Sequence, residues 1–154
     1  SFLAHTYADT LVTPMNDSFV DLDSLAHMDG HDLNIKGPSH YSEAIWEAKK
    51  EKVARDSGTI DWIVMRNRLS NLDAHNKREV EQAIRELSKR LGFRALPGFS
   101  ERVIFRELFL VGLTILDLKQ AAGGGALSRS HVAARDEVFA IIDGFKLPPL
   151  PAAI

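Results

Sequence analysis

The chain has no cysteine among its 154 residues. That excludes a disulfide framework and any thiolate metal site, and it fits a reducing, cytoplasmic setting. Long apolar runs are missing too. None approaches the ~20 residues that a membrane-crossing helix needs, so no membrane partner is expected. No secretory leader is visible at the start. Catalytic patterns are absent as well. Gly123-Gly124-Gly125 is followed by Ala126-Leu127-Ser128, which has neither the Lys nor the Ser/Thr placement of a phosphate-cradling loop, so it reads as a linker. Neither Gly-x-Ser-x-Gly nor His-Glu-x-x-His occurs. His27 and His31 lie four apart with Asp29 and Asp32 nearby, but Gly30 interrupts the helix that would align them. His5, His40, His75 and His131 do not cluster in sequence, and no metal site is assigned.

What is present is an ordinary globular composition, 45% apolar and 26% charged, in a length suited to one domain. The net charge of −2 hides a partition. Residues 1–65 carry five basic and eleven acidic side chains, residues 66–106 carry ten and five, and residues 107–154 carry four and five. The middle third is a basic block in an acidic chain, a pattern that points to a polyanionic partner.

Ser1-Phe2-Leu3-Ala4-His5 reads as the tail of a helix, as in a chain that continues upstream. Asp9 to Pro14 reads as a short strand ended by its proline. Asn16, Asp17 and Ser18 cap a helix expected over 18–28, and 29–39 reads as a loop. Ser39 caps a helix over 40–56, with Tyr41, Ile45 and Ala48 inward and Ser57-Gly58 as its stop. Residues 60–66 form a strand that is apolar on both faces apart from Asp61, as befits a strand between helices. Ser70, Asn71 and Asp73 open a helix over 74–91, closed by Gly92. Phe93 to Leu96 is a short strand, and Pro97-Gly98 is a turn. Ser100 and Glu101 open a helix to about Phe109. Leu113 to Leu116 reads as a fourth strand, and Leu127 to Ile142 as a last helix ended by Gly144. Strands alternating with helices predict an α/β fold of parallel βαβ units, with helices on both faces and right-handed crossovers.

Two segments carry candidate chemistry. The strand over 60–66 ends in Arg66-Asn67-Arg68, and ligands of parallel sheets bind beyond the carboxyl ends of strands. An amide offers a donor and an acceptor in one plane, which matches the edge of adenine, while a turn-forming asparagine is the plainer reading. On the helix over 74–91, Val80, Ala83, Ile84, Leu87 and Leu91 share one face. Arg78, Arg85 and Lys89 stripe the opposite face and could track phosphates, or could simply be solvated beside Glu81 and Glu86. Pro97 to Arg102 follows a strand and opens a helix, so its backbone could line a ligand pocket.

Four stretches are specific in combination: Asp9-Thr10-Leu11-Val12-Thr13-Pro14-Met15-Asn16-Asp17-Ser18-Phe19-Val20-Asp21, Tyr41-Ser42-Glu43, Met65-Arg66-Asn67-Arg68-Leu69-Ser70, and Pro97 through Leu108. From about Asp9 to Leu118 the chain resembles the MipZ family of division-plane-positioning ATPases, within the ParA/MinD group of P-loop ATPases. The resemblance implies the C-terminal part of a parallel-sheet, P-loop NTPase-like fold. It divides the chain into residues 1–118 of that domain, a Gly-rich linker at 119–126, and a C-terminal helix and Pro-rich tail at 127–154. It implies ATP and Mg²⁺ as cofactors of the intact protein and a nucleotide-dependent dimer. The implied partners are non-specific DNA, the partition protein ParB and the tubulin-like FtsZ, whose assembly it would inhibit. Asn67, Arg68, Pro97, Gly98 and Phe99 match the nucleotide-binding positions, and Arg78, Arg85, Lys89 and Arg102 the expected DNA-facing cations. The family's Walker A loop, its signature lysine and its Mg²⁺-holding acids match nothing in this chain. The 154 residues alone are therefore expected neither to hydrolyse ATP nor to bind it tightly, and no catalytic residue is assigned. The alternative is a stand-alone DNA-binding or adaptor module that uses the basic 74–91 helix without a nucleotide.

Overall fold

The computed structural model describes residues 2–16, 18–29, 35–69, 74–118 and 127–147, with the side chains of Phe19 and residues 74–77 left aside. The elements are, in order, α1 (Phe2–Tyr7), β1 (Thr10–Asn16), α2 (Phe19–Asp23), β2 (Ala26–Met28), β3 (Ile35–Pro38), α3 (His40–Asp56), β4 (Asp61–Asn67), α4 (Ala74–Leu91), β5 (Arg94–Leu96), α5 (Val103–Leu110), a 3-10 turn (Ile115–Asp117) and α6 (Arg129–Phe145).

The architecture is α/β. Strands β1, β4 and β5 form a parallel sheet with β4 in the middle, and β2 and β3 form a separate antiparallel pair. Successive strand residues face opposite sides of a sheet. Trp62 and Val64 therefore share a face, and there they join Ile45 of α3 and Val80, Ala83, Ile84 and Leu87 of α4 in the main core. Each fully buried aliphatic side chain in such a cluster contributes about 1.5–3 kcal/mol. The opposite face takes α6. Arg94 Nη1 donates to the Gly144 carbonyl at 2.9 Å, and a Cβ added at Gly144 would stand 2.7 Å from Leu96 Cδ2. Helices thus cover both faces, as expected. A second core of Leu108, Ile115, Leu118 and Ala134 ties α5, the 3-10 turn and α6 together.

The α3 and α4 spans match expectation. Ser39 Oγ accepts from Ser42 N at 3.2 Å, and Ser57 ends α3 in the left-handed region at φ 58°. Gly92 follows α4 at φ 70°, a conformation that glycine adopts without the clash a Cβ would bring. One inward residue of α3 is unexpected: Lys52 is buried and reaches Asp9 at 2.9 Å.

Several expectations fail for identifiable reasons. Pro14 does not end β1, which runs on to Asn16. The Asp61 amide bonds the Asp9 carbonyl, so by alternation the backbone groups of residues 11, 13 and 15 face β4. Those of 10, 12, 14 and 16 face away from β4, on a flank that no described strand pairs with, where proline costs no ladder bond. The helix expected over 18–28 stops at Asp23. Asp21 Oδ2 instead accepts from Asn16 N at 2.6 Å and Asp23 Oδ1 from Met28 N at 3.2 Å, and the chain turns into β2. Part of the supposed 29–39 loop is β3, which pairs with β2. The fourth strand at Leu113–Leu116 does not form. Thr114 Oγ1 accepts from Leu116 N at 3.3 Å while Asp117 Oδ2 accepts from Thr114 N at 2.8 Å, a capping box that winds a 3-10 turn. Gly144 does not end the last helix, which reaches Phe145; its bare Cα instead lets Leu96 approach. The expected caps Ser70, Asn71 and Asp73, the linker 119–126 and the tail prolines 148, 149 and 151 lie outside the described residues.

Candidate functional site

The carboxyl end of the sheet brings the two chemically marked segments together. In register, Asn16 pairs with Asn67 and Met65 with Leu96, so β1 and β4 end level and the loop after β5 passes directly over β4. Gly98 lies so close to β4 that a Cβ there would stand 1.7 Å from the Arg66 carbonyl oxygen. Only glycine permits this crossing. Three backbone bonds then stitch the loops: Phe99 N to Arg66 O at 3.0 Å, Leu69 N to Phe99 O at 2.9 Å, and Glu101 N to Leu69 O at 3.2 Å. The loops after β4 and β5 form one continuous wall.

That wall bounds a cavity of about 420 Å³, lined by Asn67, Arg68, Phe99, Ser100, Glu101, Arg102, Phe105 and Arg106. Its volume falls in the roughly 300–1,000 Å³ range of small-molecule sites. Phe99 and Phe105 meet edge to face with centroids 5.7 Å apart, which gives the cavity an aromatic side. Asn67 Oδ1 accepts from Arg68 N at 3.0 Å. That bond fixes the amide plane and leaves a lone pair on Oδ1, and among the described residues the Nδ2 protons have no partner. The turn-forming and ligand-facing readings of Asn67 therefore coexist. Arg68 takes φ 54°, an uncommon conformation for a residue with a Cβ, and such strain gathers at functional sites. Its guanidinium stands 3.6 Å from Glu101 across the mouth.

The far side of the wall is held by a residue that sequence reasoning did not single out. Glu137 of α6 accepts from Ser100 Oγ at 2.8 Å, Ser100 N at 3.2 Å and Arg102 Nη2 at 2.7 Å. Burial pushes the Glu137 carboxyl up, but the bonds from Arg102 and Ser100 outweigh it and leave its pKa below the ordinary value. The same pair holds the Arg102 guanidinium above its usual value, chiefly through the hydrogen bond. Ser100 is consequently not the cap of α5. Its hydroxyl is spent on Glu137, and α5 starts at Val103 behind an Arg102 that makes no side-chain cap bond. Nothing in the local pattern marked Glu137, because it is one of several carboxylates on an amphipathic helix and its partners lie 35 and 37 positions away.

The remaining candidates fall in two places. Pro97 and Gly98 do not line this cavity; Gly98 serves the crossing over β4, and Pro97 lines a separate cleft with Arg66, Glu81 and Arg85. On α4, Val80, Ala83, Ile84 and Leu87 are buried and Leu91 is half-buried, as the periodicity requires. Arg78, Arg85 and Lys89 are exposed on the opposite side. Arg85 lies 3.6 Å from Glu81 and Lys89 3.0 Å from Glu86, while Arg78 has no ion-pair partner among the described residues. Arg66 is buried and bound to Glu81 at 2.9 Å, so it belongs to the packing of α4 on β4. Arg102 sits in the cavity wall, apart from the α4 stripe.

A larger cavity of about 630 Å³ lies between β3, α3 and the end of α4. Its rim charges are engaged elsewhere: Lys36 with Asp29, Glu43 with His40, and Glu47 with Lys50. Among the described residues no group of three or more His, Asp or Glu could hold a metal; His31 and Asp32 lie outside them. No described helix is long and apolar enough to cross a membrane.

A parallel sheet with helices on both faces and a ligand-sized cavity beyond its carboxyl edge is an α/β domain consistent with the P-loop NTPase-like fold. The match to known families narrows this. The family described as ATPase MipZ matches residues 1–149, and the chain belongs to that family, which makes it a MipZ-like division regulator. None of the curated proteins matches the chain.

Proposed function

We propose that this chain supplies the base-binding wall and a DNA-facing helix of a nucleotide-gated ATPase that regulates division-site placement. The observation that carries the reading is the stitched wall at the end of β4, which puts the Asn67 amide and the Phe99 ring on one cavity. An adenine there would stack on the aromatic side and present its donor–acceptor edge to the amide. The residues present fit the base and not its triphosphate: the sequence has no Gly-Lys loop, and no acidic cluster for Mg²⁺ stands among the described residues. ATP would supply the switch through its phosphates, which other parts of the intact protein would hold. This chain's residues bind and orient the base, and no hydrolytic step is assigned to them.

In the same reading the bound nucleotide promotes a dimer, and the Arg78, Arg85 and Lys89 side of α4 meets the phosphates of DNA without reading its bases. Engagement of ParB and inhibition of FtsZ assembly follow from the family resemblance and are proposed with it. The deciding experiment measures nucleotide binding to the complete protein. Asn67→Ala should weaken ATP binding by about tenfold, the effect of losing a well-aligned pair of hydrogen bonds. It should leave binding of inorganic tripolyphosphate unchanged. Equal ATP affinity in wild type and variant would reject the base site.

A further inference from the structure

The wall of the base cavity is fastened from two directions. On the β4 side, the amides of Phe99 and Glu101 and the carbonyl of Phe99 bond the strand end and Leu69. Ser100, between them, turns its N–H the other way, and that N–H meets Glu137 Oε2 at 3.2 Å. The Glu137 carboxylate therefore stands where a next strand would stand, accepting the outward donor of the middle residue. It also takes the Ser100 hydroxyl at 2.8 Å and the Arg102 guanidinium at 2.7 Å. Both residues line the cavity. Glu137 is itself only 22% exposed, and its hydrogen-bond partners among the described residues, Ser100 and Arg102, both belong to this one loop. The pairing matters electrostatically as well. A purine base is uncharged, and an unpaired guanidinium in its wall would favour a phosphate in its place. With Arg102 paired to Glu137 and Arg68 near Glu101, two of the three guanidiniums in the lining are balanced, and Arg106 alone has no ion-pair partner among the described residues.

We propose that Glu137 is a positioning residue of this site, which holds the Phe99–Arg102 wall in shape from α6 and makes the cavity select a base over a bare phosphate chain. This rests on the nucleotide reading above and names a residue that reading does not need. The test compares the affinity of the complete protein for ATP with its affinity for inorganic tripolyphosphate, in wild type, Glu137→Gln, Glu137→Ala and Asn67→Ala. Glu137→Ala should lower the ATP-to-tripolyphosphate ratio roughly tenfold, the scale for losing hydrogen bonds to a charged group. Glu137→Gln keeps an acceptor for Ser100 but loses the charge facing Arg102, and should lower the ratio by a smaller factor, about threefold. If the alanine variant does not fold, as judged by its thermal unfolding, the glutamine variant carries the test. A ratio unchanged by both Glu137 variants while Asn67→Ala lowers it would overturn the role of Glu137 and leave the base site standing. A parallel loss of affinity for both ligands would also overturn it, since general destabilisation spares neither. A wild type with no preference for ATP, unaffected by Asn67→Ala, would remove the base site and this role together.

Discussion

Replacing Gly98 with alanine is the sharpest mechanical test of the site. The new methyl would stand 1.7 Å from the Arg66 carbonyl oxygen and 2.3 Å from its carbon, while ordinary contact begins at 3.4 Å. The loop would have to retreat by about 1.7 Å, the difference of those values. Backbone is the obstacle, so no rotamer change relieves the clash. A retreat of that size breaks the 3.0 Å bond from Phe99 N to Arg66 O and strains the two bonds beyond it. Overpacking costs about 1–3 kcal/mol, and each lost backbone bond about 0.5–1.5 kcal/mol. The total is about 2–4 kcal/mol, and at ~2–4 °C per kcal/mol for a domain of this size the melting temperature should fall by about 5–15 °C. Urea unfolding should show the same loss as a lower midpoint at unchanged slope. Gly144→Ala is the internal control. Its methyl would meet only the rotatable end of Leu96, at 2.7 Å. Alanine also gains about 1 kcal/mol over glycine inside a helix, so that variant should stay within about 1 kcal/mol of wild type. A Gly98→Ala protein as stable as the Gly144→Ala protein would refute the close crossing over β4, and with it the stitched wall.

Two further outcomes are expected. Asp61, bonded by Arg94, has its pKa held below the ordinary carboxylate value chiefly by that bond. Its charge therefore stabilises the fold fully above its unfolded pKa of about 4, and that contribution is lost as pH falls through the lower folded value. The pair is partly solvated, so Asp61→Asn should cost only about 0.5–1 kcal/mol at neutral pH, with the gap to wild type closing in acid; a gap constant from neutral pH into strong acid would contradict the pairing. For the α4 face, Arg78→Glu with Arg85→Glu should weaken DNA binding by the ATP-bound complete protein and reduce the salt slope by up to ~2, and unchanged binding would take this helix off the DNA face.

Elements whose sequence pattern agrees with their packing were readable in advance. The buried face of α4 follows a 3.6-residue period, and Trp62, Ile63 and Val64 announce a strand covered on both sides. Local hydrogen bonding misled where it competes with such patterns. Leu113 to Leu116 has β-like composition, yet the Thr114–Asp117 bonds wind it into a turn. Ser100 has the composition of a cap but spends its hydroxyl on a carboxylate 37 positions away. The site was legible in half. Asn67 and the Pro97–Phe99 loop stood out because a strand end and a Pro-Gly turn are local features. That they share one wall depends on the Gly98 approach to Arg66, and the Glu137 contact depends on where α6 packs. Both are settled by long-range register rather than by neighbours in sequence.

Among the described residues no strand pairs with the outer flank of β1, and that flank is not uniform along its length. Of the four amide positions facing outward there, Pro14 has no hydrogen to give and Asn16 has already given its own to Asp21. Only Thr10 and Val12 remain able to donate. A neighbouring strand laid against this side would find donors in its first half alone and, beyond them, only the Pro14 carbonyl as an acceptor, so the molecule carries a short zipper with most of its upper teeth removed.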